Sequence, residues 1–495
     1  MITRFRNRLT TNTRPRDIGS RISSLLAGPG WGAVEIPPAG DSVAPIPWVE
    51  AKGGSKLRPR WNGISQQDGV LAEAANTVHP HQASSRTVAA GFIVNVLVWF
   101  DFTVYGYFAS EIGKQFFPQE DRIAQQLLAF AIFALGYLAR PVGGLILGLI
   151  GDRIGRRPLL TVSILMMGAA TLLIGVIPTY HQIGVAATLL LLILRLVQGF
   201  SLGGVYTGSL AYTTEKASPL RRGIVSSSTA VGTTLGFILG SGSAWLAGTV
   251  LPSHAEWAWR VPFIASVGLT LGGYLVLRGV GETEPGLKAA AVRPPILSSL
   301  LDDWLPAVQT FGIIGMTNAA YYLTFIYMVE RRKALGDAAA VDFMLANTLT
   351  LLIVLVAKPL GGWVSDLIGR RRLMLVLTGA TVLAVFLAQR MMLYGSTSDF
   401  IWGQVLVAIP TGMGLGMQGA MVVEIFPLRT RVTSLSFSFS VAIALTGGIT
   451  PLVSTWLIER LNQPLAPAFC IAALAIFGLF ILLPMAETNK RALDV

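Results

Sequence analysis

A chain of 495 residues that is 53% hydrophobic and 13% charged, with a mean hydropathy of +0.61, is not an ordinary soluble domain; such domains carry roughly 25% charged residues. The formal net charge of +12 would suit nucleic acid, but the basic residues fall in short breaks between apolar runs, which excludes a nucleic-acid surface. One cysteine, Cys470, excludes an intramolecular disulfide and any cysteine metal cluster.

Residues 1–86 are rich in Arg, Pro, Gly and Ser and lack apolar periodicity, which predicts a disordered basic tail. Its opening TRFRNRLTTNTRPR suits an anionic membrane surface. The first long apolar run begins near residue 88, too late for a cleaved signal peptide. From Thr87 the chain alternates apolar runs with short polar breaks, giving predicted spans at 88–110, 126–150, 158–178, 184–213, 222–250, 259–279, 304–329, 340–364, 373–393, 400–425, 432–457 and 465–486. Runs of about 20 residues cross a bilayer, and lipid leaves the helix as the only way to satisfy their backbones. The expectation is an all-α membrane protein of twelve helices in two sets of six, 87–280 and 304–488, with a linker at 281–303 and a short tail at 489–495.

Arginine and lysine set the orientation. The breaks after spans 2, 4, 6, 8 and 10 carry 14 of them, against about eight on the other side, so both termini are expected in the cytoplasm. The cluster Glu330–Lys333 (ERRK) is the main exception.

The two halves repeat. GLIGDRIGRR (Gly148–Arg157) returns as GWVSDLIGRR (Gly362–Arg371), 214 positions on, and Glu215 with its following PLR returns as Glu424 with PLR, 209 positions on. Internal duplication, here at offsets five residues apart, is a common plan of transporters. In the repeats, Asp152 and Asp366 end helices, while Arg153, Arg156, Arg157, Arg370 and Arg371 lie beside the turn glycines Gly155 and Gly369. With Arg221, Arg429 and the acids Glu215 and Glu424 as partners, they form a candidate gate between the halves.

Charges inside spans are costly and usually face an aqueous cavity. Here they are few: Asp101 in span 1, Arg140 in span 2, Arg195 with Gln198 in span 4, Arg260 at the start of span 6, and Lys358 in span 8. Cations outnumber anions, so a central cavity would favour a carboxylate, which guanidinium binds through two parallel hydrogen bonds. Arg140, Arg260, Lys358, Gln198, Tyr105 and Tyr322 are the candidate substrate contacts, with Tyr107 and Tyr321 as further hydroxyl donors. Arg140 and Arg260 also read as donors to backbone carbonyls, and Lys358 as a side chain that snorkels. Asp101 is the only carboxylate deep in a span and is the candidate proton site, with Arg195 as its coupling partner; the alternative is a permanent salt bridge with Arg140 or Arg195.

The doubled GxxxDRxGRR loop resembles the signature of the major facilitator superfamily. DFTVYGYFA, LARPVGGLILGLIGDRIGRRP, RLVQGFSLGG, WRVPF, AKPLGGWVSDLIGRR and EIFPLRTR look like its metabolite–proton symporters, which include permeases for α-ketoglutarate, citrate, shikimate and proline or betaine; the run FSFSVAIALTGGITPLVSTWLIE looks most like the citrate type. The resemblance covers roughly 88–488 and implies two six-helix bundles rocking about a central site in a bacterial inner membrane. Three positions depart from the family pattern: Val98 and Val205 stand where acids are usual, and Leu367 replaces a basic residue. The first two leave coupling to Asp101 and the cavity more positive.

The expectation is a monomeric secondary transporter importing a small organic acid with protons and no cofactor. The alternatives are a proton-independent facilitator or exchanger, a zwitterion symporter of the proline/betaine type, and a transporter-like nutrient sensor. An enzyme would need clustered nucleophiles or metal ligands. His79, His81, His181 and His254 all fall outside the predicted span interiors, and no GxxxxGK[ST] loop for ATP is present.

Overall fold

The computed structural model describes residues 49–50, 56–57, 85–118, 121–154, 156–251, 255–278, 300–334, 340–427 and 430–489. Among these, the side chains of 49–50, 56–57, 85–91, 148–149, 151–157, 212, 216, 255–256, 334, 340–341 and 432 are not described. The chain divides into two units, Met1–His81 and Gln82–Val495. In the first, Val49–Glu50 pairs antiparallel with Lys56–Leu57; the rest of the tail expected to be disordered lies outside the described residues.

The second unit is helical, and its membrane segments follow the predicted spans one for one. Ten helices are long and apolar enough to cross a membrane: Arg122–Leu147, Pro158–Val176, Val185–Glu215, Arg222–Val250, Arg260–Arg278, Trp304–Lys333, Asp342–Ile368, Arg370–Tyr394, Thr397–Ile425 and Thr433–Leu461. Span 1 is a bent pair, Phe92–Tyr107 with Ala109–Phe116 at 64°, and span 12 is the shorter apolar helix Ala466–Leu482. Twelve segments result among the described residues. Span 1 therefore runs past the predicted end at 110 and turns at Phe108.

Two pairs of breaks shape the interior. Pro141 cannot donate to the Tyr137 carbonyl, and the first part of span 2 ends at Leu138 before the chain restarts at Arg140. Pro359 sits inside span 8, directly after Lys358. The second pair are π-helical turns, Leu323–Tyr327 in span 7 and Ala444–Gly448 in span 11, which often mark functional positions in membrane and soluble helices alike. Outward faces of the spans are apolar and exposed, as at Leu189, Ile193, Val356, Leu383 and Phe480, which suits a lipid surface.

RPVGG at Arg140 and KPLGG at Lys358 pack alike in the two halves, although Lys358 stands four residues closer to its loop acid than Arg140 does. A Cβ on Gly203 of span 4 would overlap the Arg140 carbonyl, and one on Gly416 of span 10 would overlap the Lys358 carbonyl. In each half a glycine thus lets one span press against the backbone of the buried cation.

A cavity between the halves and its two gates

Between the halves lies a cavity of about 30 Å³. Its walls carry Trp99, Tyr206 and Phe237 from the first half and Tyr321, Tyr322 and Phe439 from the second, with Lys358, Asn318, Gln418 and Thr233 as polar groups. No carboxylate lines it among the described residues. A volume of this size holds one or two waters, whereas ligand pockets run to roughly 300–1,000 Å³, so the halves must part to admit a metabolite.

Two cations approach this space. Arg140 is 1% exposed, its guanidinium 5.4 Å from the Trp99 ring centroid and 5.5 Å from that of Tyr137. Its Nε and Nη1 have no hydrogen-bond partner. Leaving buried charged donors unmade is costly. Arg195 also keeps Nε and Nη2 unmet but stacks on Phe102 and Tyr105, so the contact with Trp99 of the cavity wall makes Arg140 the stronger candidate for an anionic ligand. Lys358 lines the cavity and does not snorkel: it is 2% exposed and donates to the Ala230 carbonyl at 2.8 Å and the Thr233 hydroxyl at 2.9 Å on span 5. Tyr322 also lines the cavity, with its hydroxyl in a close contact to that of Tyr137 across the halves.

The other candidates have different tasks. Arg260 donates to the carbonyls of Gly175 (2.9 Å) and Ile177 (2.8 Å), open groups at the end of span 3, and stacks on Trp259; it is absent from the cavity wall. The Tyr105 hydroxyl donates to the Ala129 carbonyl at 3.1 Å, and its ring lies under Arg195 at 4.2 Å. Gln198 belongs to a separate network within the first half. Arg195 donates to its Oε1 at 2.8 Å, and its Nε2 donates to Thr171 at 2.8 Å. The Thr171 hydroxyl, which donates to the Met167 carbonyl at 2.9 Å, lies beside the Asp101 carboxyl. Asp101, 3% exposed, makes no ion pair with Arg195 or Arg140 among the described contacts; Thr171 and Gln198 stand between it and Arg195. Sequence reasoning had no handle on Thr171, which carries no charge.

The loop end of the interface is closed by a polar cluster. Both oxygens of Asp366 accept from backbone amides at the start of span 5, Gly223 and Ile224, at 2.9 Å each. Arg370 joins Asp366 (2.8 Å) to Glu424 (3.1 Å), and Arg222 of the first half reaches Glu424 at 4.0 Å. Glu215 pairs with Arg431 across the halves at 2.9 Å. Arg222 and Arg431 were missed as gate residues. Arg221 is exposed, because one step along a helix end turns a side chain by about 100°. The Arg371 guanidinium pairs with no acid among the described residues; it donates to the carbonyls of Leu482 (2.9 Å) and Leu483 at the end of span 12, while its backbone amide donates to Glu487 at 3.3 Å. Gly369 makes the expected turn with φ of 105°. Gly148 lies within the helix Arg140–Ile154, but its surroundings, the side chains of Asp152, Arg153, Arg156 and Arg157, and residues Gly155 and Arg429 lie outside what is described.

The opposite end is held by the ERRK cluster. The bend of span 1 frees the Tyr107 carbonyl and the Ser110 amide: Lys333 donates to the first at 2.8 Å, and Glu330 accepts from the second at 2.9 Å. Lys333 also pairs with Glu330 (2.7 Å) and Glu111 (3.0 Å). Both ends of the interface are thus bridged at once.

The family model described as Sugar (and other) transporter matches residues 87–283, and that of the Major Facilitator Superfamily matches 310–494. The proline/betaine transporter of Escherichia coli K12 is 31% identical over 428 residues, covering 82% of this chain and 84% of that relative. The glycine betaine/proline/ectoine/pipecolic acid transporter OusA of Dickeya dadantii is 30% identical over 430 residues, with the same coverage. In fold, a crystal structure of the D-xylose–proton symporter aligns with a TM-score of 0.64 at 16% identity, covering 82% of this chain and 99% of that one. The chain belongs to the major facilitator superfamily, within its metabolite–proton symporter family, and is a multi-pass membrane transporter of small molecules.

Proposed function

We propose that this protein imports a small zwitterion, a carboxylate carrying a quaternary or secondary ammonium of the betaine or proline kind, together with a proton. The observation that carries the reading is Arg140, a buried guanidinium with Nε and Nη1 unmet, packed on the Trp99 ring that forms one wall of the cavity. The substrate carboxylate binds Arg140 and Lys358, and its cationic end packs on ring faces such as Tyr206, Phe237 and Phe439, as quaternary ammoniums do in aromatic cages. The relatives named as proline/betaine transporters support this assignment. The proton resides on Asp101, apart from the substrate and beside Thr171, the hydroxyl that accepts from Gln198, which in turn accepts from Arg195.

A second reading, a di- or tricarboxylate, is favoured by one feature: Lys358 lines the cavity, Arg140 lies behind its Trp99 wall, and no acid lines it among the described residues. In either case the N-terminal bundle (87–280) and the C-terminal bundle (304–488) rock about the cavity. Both termini are assigned to the cytoplasm of a bacterial inner membrane, where the surplus of basic residues lies.

Uptake into proteoliposomes decides between the two. Radiolabelled glycine betaine, proline, citrate and α-ketoglutarate are offered with and without an inward proton gradient. Gradient-driven accumulation of betaine or proline, uncompeted by citrate, is expected. Accumulation of citrate or α-ketoglutarate that betaine does not compete transfers the function to the second reading.

A further inference from the structure

Lys358 belongs to one half and is bonded to the other. Its stem rises from span 8, while its ammonium holds the Ala230 carbonyl and the Thr233 hydroxyl of span 5 at 2.8 and 2.9 Å. An ammonium has three donors. Two go to these neutral oxygens, and among the described residues no carboxylate lies within 4.0 Å of it. Thr233 is already engaged, donating to Ala230 at 2.7 Å. The bridge across the halves is therefore a cation resting on uncharged acceptors at the cavity wall.

A charge-assisted hydrogen bond to a carboxylate is roughly twice as strong as one to a neutral acceptor. We infer that Lys358 is a latch between the halves that the substrate's own carboxylate opens, by drawing the ammonium from Ala230 and Thr233 to itself. Arg140, the buried cation of the first half that packs on Trp99, shows no such bridge among the described residues and serves as the fixed arm of the clamp. A ligand shifts an equilibrium only by its differential affinity for the two states. A carboxylate that captures Lys358 binds best where the halves are unlatched, so binding and release of the interface become one event. This rests on the cavity being the carboxylate site proposed above.

The test uses a substitution that should improve binding. Thr233→Val keeps the side-chain shape and deletes one acceptor that the substrate must displace. Calorimetry on the full-length protein in nanodiscs, with glycine betaine, citrate and choline as probes, compares wild type, Thr233→Val, Thr233→Ser and Lys358→Gln. The carboxylate that the wild type binds should bind Thr233→Val roughly two- to tenfold more tightly, the worth of one net hydrogen bond. Thr233→Ser should match wild type, and Lys358→Gln should bind at least about tenfold more weakly. Unchanged or weaker binding by Thr233→Val overturns the latch. So does an equal gain for choline, which has no carboxylate and would report only a wider pocket. If citrate binds and betaine does not, the zwitterion assignment falls while the latch is still read on citrate.

Discussion

The carboxylate of Asp366 sits astride the two halves, one oxygen on the amide of Gly223 and the other on that of Ile224, each at 2.9 Å. These amides open the helix Arg222–Val250, whose first N–H groups have no partner within the helix and whose dipole favours an anion. The backbones touch here as well: a Cβ on Gly362 would come within 2.8 Å of the Gly223 carbonyl carbon. Asp366→Asn swaps one acceptor for a donor that meets an N–H head-on, and it weakens the grip of Arg370. A loss of about 1–3 kcal/mol from the closed loop end follows. With Cys470 replaced by Ser and Ser227→Cys as a reporter, Asp366→Asn should raise labelling by a membrane-impermeant maleimide at least about fivefold. Labelling equal to that of the parent would remove Asp366 from the gate.

At the other end, Lys333 ties down Glu330, whose side chain is fully buried, and Glu111. Lys333→Met leaves Glu330 without its cation. Breaking a buried pair by removing one partner costs about 3–5 kcal/mol, much of it the stranded charge. The single variant should therefore lose thermal stability and transport. Glu330→Gln in the same chain should restore more than half of the loss in melting temperature, since a neutral amide can still accept from Ser110. Failure of the double variant to recover would show that Lys333 acts through Tyr107 and Glu111 alone.

The twelve spans were legible because lipid imposes one rule, an apolar helix of sufficient length, and the duplication doubled the signal. The ERRK cluster was visible only as an exception to the charge bias. Its reason is the bend at Phe108, and a break without proline or a glycine pair leaves no mark in the sequence. Arg140 and Lys358 were legible as buried cations, and the likeness of their packing lay in RPVGG and KPLGG, two motifs read separately. Which cation has a protein partner was not legible. Arg260 and Arg140 look alike in sequence, yet one caps the end of span 3 and the other faces aromatic rings. Gate partners slipped by one or two positions, Arg222 for Arg221 and Arg431 for Arg429, because helical phase at a helix end is not fixed by composition.

The relay from Asp101 gives a prediction about coupling. Thr171 lies between the Asp101 carboxyl and Gln198, which accepts from Arg195. Thr171→Val removes the hydroxyl and keeps the volume close. Substrate exchange across proteoliposomes without a gradient should stay within about twofold of wild type, because the cavity wall is untouched. Accumulation driven by a proton gradient should fall by about fivefold or more, as it should for Asp101→Asn. Equal losses in exchange and accumulation would instead assign Thr171 to packing of spans 1, 3 and 4.

Arg140 and Arg260 offer a paired test, since both are buried arginines over tryptophan. Lysine keeps the charge and loses the planar fork that receives a carboxylate. At Arg140 the unmet Nε and Nη1 await a ligand, so Arg140→Lys should raise KM for transport by about tenfold or more, equivalent to about 1.4 kcal/mol, with little change in melting temperature. At Arg260 the same guanidinium nitrogen serves two carbonyls at the end of span 3. Arg260→Lys should lower the melting temperature by a few degrees, the effect of about 1 kcal/mol, and leave KM unchanged. The two variants separate substrate contact from helix capping in one pair of assays. A KM that rises equally in both would mean that Arg260 acts on the cavity through spans 3 and 6, and that exclusion from the wall is no guide to function here.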